Sequence, residues 1–190
     1  MMLNGVRRSV HGYRCDFATT NGGKSMTLTL RDSVHLVSDP DHLDESVREV
    51  FETLFGAQCR GDADVDANDT HEPEMSVTAV VGFGGILSGA CVFRCDALAA
   101  RQIAARMAGM DFDTVDDIVK DAIGEICNML AGTWKGKVPG LAANCGLSVP
   151  AVITGSDYDL HVQAPEFRIC QAFRFENTRF EMTIVCDGLQ

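Results

Sequence analysis

Residues 114–131 of the chain (TVDDIVKDAIGEICNMLA) are predicted to form a helix with two different faces. At about 100° per residue, one side is entirely apolar and holds Val119, Ala122, Ile123, Ile126 and Leu130, with Ile118 and Met129 on one shoulder. Acidic residues lie in the first turns, where the helix dipole favours them. An apolar stripe of this kind must be buried against another layer of secondary structure, so the rest of the chain has to supply that layer.

The remaining elements are predicted in blocks. Helices are predicted over 39–56 and 98–109, each with an Asp cap and a Gly at its end. A hairpin is predicted over 75–95 around Gly-Phe-Gly-Gly, and a hairpin turn over 175–179. Further β-rich runs lie at 27–31, 147–155, 159–164, 167–175 and 179–186. Because helices and strands do not alternate strictly, the pattern favours an α+β fold, with long helices packed on one face of an antiparallel-rich sheet.

Two short segments of the chain are similar to each other. When REVFETLFG is set beneath GEICNMLAG, Glu49 aligns with Glu125 and the two final glycines coincide. Glu52 aligns with Asn128. Each segment belongs to a predicted helix that is associated with a β-rich block. The chain is therefore predicted to be a pseudo-repeat of two related halves.

Length and charge limit the possible classes of protein. The 190 residues suit one domain. We predict a single domain over 26–190 and a poorly ordered tail over 1–25, which lacks clear periodicity. The net charge of -11 argues against nucleic-acid and anionic-membrane partners, and much of it lies in a predicted solvated loop at 62–74. No apolar run reaches the ~18–20 residues of a membrane span or follows the basic N-terminus, so the expected location is the cytoplasm.

The eight cysteines do not predict a metal site or a disulfide framework. None forms a CxxC pair, and Cys91 and Cys95 share one face of a predicted strand. A zinc site would need two further ligands there, and the five histidines are scattered singly. Most of the cysteines lie among apolar residues and are predicted to be small buried hydrophobes, and no metal is expected. Trp134, predicted to lie just past the helix, is expected to be a packing residue.

A polar row lies opposite the apolar stripe of the 114–131 helix. Asp121, Glu125 and Asn128 follow at i, i+4 and i+7. A solvated surface helix would show the same pattern. However, no Lys or Arg lies four residues away to neutralise the two acids, which leaves room for an external cation. Gly124 costs about 1 kcal/mol relative to Ala inside a helix, and its missing side chain either admits a partner or serves helix packing.

The segment DAIGEICNMLAG resembles the signature of the CheC/CheX/FliY family of chemotaxis phosphatases. That signature is Asp or Ser, then Glu four residues later, Asn three residues after that, and a Pro some twenty-odd residues on. Asp121, Glu125, Asn128 and Pro150 match it. The resemblance begins near Ser46 and is closest to CheX, which carries one active helix. It implies a CheC-like fold and, because Glu52 replaces the amide in the first segment, an inactive first helix.

The resemblance also implies an activity and a partner. Members of the family hydrolyse the aspartyl phosphate of a CheY-type response regulator, which brings its own Mg²⁺. The resemblance assigns Asn128 to orient the attacking water, Glu125 to pair with a lysine of the regulator, and Asp121 and Gly124 to contact the regulator. No cofactor of the chain's own is implied, and a homodimer is expected. The alternative is a non-catalytic module that docks a response regulator or another signalling partner without hydrolysis.

Overall fold

The structure is a computed structural model that describes residues 34–62, 75–138, 140–156, 158, 160–161 and 165–189. The predicted tail over 1–25 and the predicted strand over 27–31 lie outside these residues, as does most of the predicted acidic loop. Asp62, the first residue of that loop, is described. Its side chain is 9% exposed, and its carboxylate lies 3.1 Å from Arg174 and 3.6 Å from Arg179, so Asp62 belongs to an ion-pair cluster.

Two of the predicted helices begin and end where their capping residues predict. Helix α1 spans Val34–Val37 and helix α2 spans Pro40–Phe55. The Asp39 carboxylate accepts a hydrogen bond from the Asp41 amide at 3.0 Å, and Gly56 ends α2 in the left-handed conformation, with φ of 60°. Helix α3 spans Ala97–Ala108, with Asp96 as its N-cap and Gly109 at its end. These predictions are confirmed to within one residue.

The next helix, α4, differs from its predicted range at both ends. It spans Asp117–Lys137, not 114–131. It begins later because the Asp116 carboxylate caps it, accepting from the Val119 amide at 3.0 Å. It continues through Gly132 because Trp134 extends the buried stripe by another turn. The Trp134 ring is fully buried, 5.2 Å from that of Phe83, and burial of so large a side chain outweighs the roughly 1 kcal/mol cost of a helical glycine. The predicted packing role of Trp134 is confirmed.

The strands form one antiparallel sheet. They are β1 (Cys59–Gly61), β2 (Ser76–Gly85), β3 (Leu87–Asp96), β4 (Cys145–Leu147), β5 (Ala151–Gly155), β6 (Phe167–Phe175) and β7 (Thr178–Leu189); a short helix, α5 (Leu141–Asn144), precedes β4. The strand order is β1-β6-β7-β3-β2-β4, and β5 also pairs with β2. The predicted fold class is confirmed.

The sheet order shows how the two predicted halves are combined. Each half contains a long helix, a short strand segment and a long hairpin: α2, β1 and β2–β3 in the first, α4, β4–β5 and β6–β7 in the second. The central strands β3 and β7 pair with each other. Each short strand pairs with the hairpin of the other half, β1 with β6 and β4–β5 with β2. The halves are therefore joined by exchanged edge strands as well as by their shared core.

The strand predictions hold except at one turn and one segment. The hairpin predicted over 75–95 is present, but its glycines at 82–85 are the last residues of β2, not the turn. A Cβ at Gly85 would clash with the Asn144 carbonyl, so this glycine permits the approach of the chain before β4. Leu160 and His161, part of the run predicted over 159–164, lie in no strand. This segment follows Tyr158, whose hydroxyl is 2.6 Å from that of Thr78.

The helices pack on one face of the sheet over an aromatic cluster. The Phe51 ring of α2 stacks on that of Phe180, with centroids 5.0 Å apart, and meets Phe175 edge-on at 5.0 Å. Phe180 also stacks on Phe93, at 4.8 Å. Buried cysteines complete the core, as predicted: Cys59, Cys91, Cys95, Cys127, Cys145 and Cys186. No helix within the described residues is long and apolar enough to cross a membrane.

We predict that Phe51→Ala lowers the free energy of unfolding by about 3–5 kcal/mol, because it removes the ring that joins α2 to the sheet and leaves a cavity among rigid neighbours. Phe55→Ala is the matched control. Phe55 is half-buried at the margin of the same cluster and should cost clearly less. Urea unfolding followed by circular dichroism measures both, and equal losses would contradict a core centred on Phe51.

Candidate functional site

The predicted polar row lies on the outer face of α4. Asp121 and Glu125 are exposed and Asn128 is half-buried. The opposite face carries fully buried side chains, including Ile123 and Leu130. Within the part of the chain that the structure describes, the side chains of Asp121, Glu125 and Asn128 have no hydrogen bond or ion pair. The structure therefore places the three residues on one rigid surface with their polar groups unused.

A stretch of chain between β4 and β5 lies against α4 beside this row. A Cβ built on Gly132 would lie 3.9 Å from Leu147, and one built on Gly124 would lie 3.3 Å from Pro150. Asn128 is midway between the two glycines along the helix. Residues 148 and 149 therefore pass the turn that carries Asn128, and the close approach of Pro150 depends on the missing side chain of Gly124.

This contact supports the packing explanation for Gly124. Gly124 is buried under Pro150 and under Val152, whose Cγ2 would lie 3.4 Å from an added Cβ. Its missing side chain makes room for the chain's own segment, and the contact of Gly124 with a partner stays a prediction. Pro150 has a structural role in the same contact, as its position before β5 indicates.

Hydrogen bonds to β2 fix the position of this segment. The Ser148 amide donates to the Gly82 carbonyl at 2.9 Å, and the Ser148 hydroxyl accepts from the Gly82 amide at 2.8 Å. The same hydroxyl donates to the Val149 carbonyl at 2.9 Å. Residues 148–150 thus form a wall beside Asn128 that is held by hydrogen bonds to β2 and by packing on α4. The sequence pattern did not identify this wall, although Gly124, one turn before Asn128, was its signal.

The Asn128 carboxamide remains available for binding. Among the described residues its side chain has no hydrogen-bond partner. Neither of its polar atoms is among those that are fully buried without a partner, so both are open to water. Gly124 lies one turn before it and Gly132 one turn after it, and neither has a side chain that could cover the amide. An amide in this position can donate and accept a hydrogen bond at the same time, which suits it to hold a water molecule in a defined orientation.

The corresponding side of α2 is built differently. Arg48 aligns with Gly124, and Glu52 aligns with Asn128. Where Pro150 packs on α4, the first half has a cavity of about 490 Å³, lined by Asp44, Arg48, Glu52 and residues 58–61. The Arg48 side chain does not point freely into it, because it pairs with Asp44 at 2.9 Å. The first half therefore lacks both the amide and the wall.

A lysine neutralises the acidic residues of the first half. Lys137, at the end of α4, contacts Glu49 at 2.7 Å and Glu45 at 3.7 Å. The hydrogen bond to Glu49 is the main reason that the pKa of Lys137 is raised. Glu49 aligns with Glu125, which pairs with no cation of the described residues. The acidic rows of α2 and α4 thus differ in charge balance, because Lys137 pairs with Glu45 and Glu49 of α2. Lys137 lies at the end of α4, beyond the range that the sequence predicted.

The paired cysteines of β3 are not arranged as a metal site. Contact with the Cys127 thiol, followed by burial, raises the pKa of Cys91 well above its ordinary value, and burial raises the pKa of Cys95. Metals bind the thiolate, which these surroundings disfavour. Among the described residues no group of three or more His, Cys, Asp or Glu side chains could hold a metal ion.

The family to which the chain is related can now be stated. The family model described as "Chemotaxis phosphatase CheX" matches residues 77–174, a stretch that includes the polar row and Pro150. The chain belongs to this family. The predicted relationship is thereby confirmed, and the matched residues run from β2 through β3, α3, α4, β4 and β5 into β6.

Individual members and structural neighbours support the assignment to the CheX family. The chain is 27% identical over 113 residues to the CheY-P phosphatase CheX of Thermotoga maritima, which is 59% of this chain and 72% of that protein. A CheC-like superfamily protein from Shewanella sp. PV-4 superposes with a TM-score of 0.62 at 17% identity, covering 78% of this chain and 96% of that one. A chain of the CheX-CheY-BeF3-Mg²⁺ complex from Borrelia burgdorferi superposes with a TM-score of 0.58 at 18% identity, covering 80% of this chain and 99% of that one. These two likenesses confirm the CheC-like fold.

We predict that alanine is tolerated differently at the two glycines beside Asn128. Gly132→Ala should raise the free energy of unfolding by up to about 1 kcal/mol, because alanine favours the helix and meets only an ordinary contact. Gly124→Ala has the same helical advantage but presses on Pro150, which the sheet holds in place, so it should be about 1 kcal/mol less stable than Gly132→Ala. Urea unfolding of the two variants tests this. Equal stabilisation would mean that the segment yields easily.

Proposed function

We propose that this protein hydrolyses the aspartyl phosphate of a CheY-type response regulator, and that α4 is the helix that enters the regulator's phosphorylation site. The observation that carries the proposal is the outward row of Asp121, Glu125 and Asn128, whose side chains have no partner within the described residues. Membership of the CheX family and the name of the Thermotoga relative support the same reaction and the same kind of partner.

Asn128 orients the attacking water in this proposal. The water oxygen forms a bond to phosphorus while the bond from phosphorus to the aspartyl oxygen breaks, which gives inorganic phosphate and a free carboxylate. A carboxamide is too weak a base to take the proton from water, so its contribution is position. Placement of the nucleophile in line with the leaving oxygen is a major requirement of phosphoryl transfer. We expect the Mg²⁺ that stabilises the phosphoryl oxygens to be supplied by the regulator.

Glu125 docks on a lysine of the regulator in this proposal. Glu125 lies about one turn before Asn128, so a charge pair at Glu125 fixes where the amide lies relative to the phosphoryl group. Asp121, one turn earlier, extends the acidic surface and contacts the regulator or supports Glu125. Because no cation of the described residues pairs with either carboxylate, a lysine from the partner meets no internal competitor.

We predict that Asn128→Ala lowers the rate of phosphate loss from the regulator roughly tenfold to hundredfold and leaves binding intact, because only the water loses its position. The measurement is the decay of a phosphorylated CheY-type regulator of the same organism, with binding followed separately on the beryllofluoride-activated regulator. If wild type and Asn128→Ala bind equally and neither speeds the decay, the protein is a docking module, which is the alternative function.

We predict that Glu125→Gln weakens binding to the activated regulator roughly tenfold and reduces its dependence on salt, because an interfacial charge pair is lost. Glu49→Gln is the matched control. It makes the same chemical change at the aligned position of α2, where the carboxylate is already paired with Lys137. An equal loss of binding with Glu49→Gln would mean that the regulator recognises total acidity and not the row on α4.

A further inference from the structure

The chain beside Asn128 leaves the regular sheet in a β-bulge. Residues 81–82 of β2 lie opposite residues 148–150, because the flanking residues on both sides are in register. One extra residue is therefore inserted between β4 and β5. Bulges of this kind re-aim a side chain and are frequent next to functional sites. The side chain at this bulge, Val149, is 86% exposed.

The exposed valine is held rigidly. Its carbonyl accepts a hydrogen bond from the Ser148 hydroxyl, which also binds the Gly82 amide. On its other side, Pro150 packs on Gly124. Valine is stiff about χ1, so an apolar partner that meets it would immobilise little additional freedom. Exposure to this degree means that the side chain contributes almost no buried apolar area to folding.

A second apolar side chain lies at the N-terminal end of the row. Ile118 of α4 is 55% exposed. It lies three residues before Asp121 and seven before Glu125, which places it on the shoulder of the helix that borders the row. Ile118 thus lies at the end of the polar row and Val149 along its side, and the row has no partner among the residues that the structure describes.

We infer that Val149 and Ile118 form an apolar rim that docks on the receiver domain of the response regulator, against an apolar side chain beside its phosphorylated aspartate. The inference rests on the proposed function and extends it to the specificity of binding. Apolar contacts around the row exclude water from the phosphoryl site, which strengthens the Glu125 charge pair by lowering the local dielectric. Val149 touches neither the phosphate nor the attacking water and is a docking residue.

The test compares three variants with wild type. Val149→Ser removes the apolar surface at similar size, Val149→Leu restores it, and Leu160→Ser is the matched control. Leu160 is another exposed apolar residue, at 38%. It follows Tyr158, whose hydroxyl is hydrogen-bonded to that of Thr78 in the sheet. Binding is measured by titration with the beryllofluoride-activated regulator in the presence of Mg²⁺, and the rate of dephosphorylation is measured at saturating protein.

Val149→Ser is expected to weaken binding about tenfold, since burial of a valine side chain corresponds to at least that factor. Its rate at saturation should equal that of wild type. Val149→Leu should bind within about twofold of wild type, and so should Leu160→Ser.

Three results would overturn the inference. If wild type dephosphorylates the regulator and Val149→Ser binds as tightly, the rim is not used although the proposed function stands. If Val149→Ser binds normally but is slow at saturation, Val149 supports Asn128 and does not dock. If wild type neither binds nor dephosphorylates the regulator, the proposed function fails, and the inference fails with it.

Discussion

The close packing of Pro150 on Gly124 is the constraint on which the arrangement around Asn128 depends. It requires a glycine at position 124 of the helix, and a chain segment that hydrogen bonds to the sheet hold directly against that glycine. Any larger residue at Gly124 would push that segment away from the helix. The contact costs helix propensity, and in return it gives the Asn128 turn a fixed wall. A site that must place one water molecule benefits from rigidity of this kind.

The two halves of the fold show what happens without that constraint. Arg48 takes the place of Gly124 in the first half, and an open cavity lies on the corresponding side of α2. Lys137 reaches across from the end of α4 and pairs with Glu49, so the first acidic row is neutralised by the chain itself. The same helix-and-strand unit thus gives one row without a partner among the described residues, on α4, and one row on α2 in which Glu45 and Glu49 pair with Lys137.

Exchange of the edge strands connects these local differences to the whole domain. The strand segment that follows each helix pairs with the hairpin of the other half. The wall beside Asn128 is therefore anchored on β2, a strand of the first half, and the central pair β3–β7 carries the aromatic core beneath α2. A substitution that displaces β2 in the first half would therefore also displace the wall beside Asn128 in the second half. This holds even though the first half carries no catalytic residue in the proposed function.

The sequence by itself determined the helices, most of the strands, the family and the row of Asp121, Glu125 and Asn128, because caps, periodicity and a short motif are local properties of the chain. It misplaced the end of α4, since the burial of Trp134 outweighs the local preference of Gly132, and it left two explanations for Gly124. Only the tertiary structure decided that Gly124 packs on Pro150, that Val149 is exposed on a bulge beside Asn128, and that Lys137 neutralises Glu49. Each of these depends on contact between residues distant along the chain, which the sheet register and the packing of the helices decide and no local pattern records.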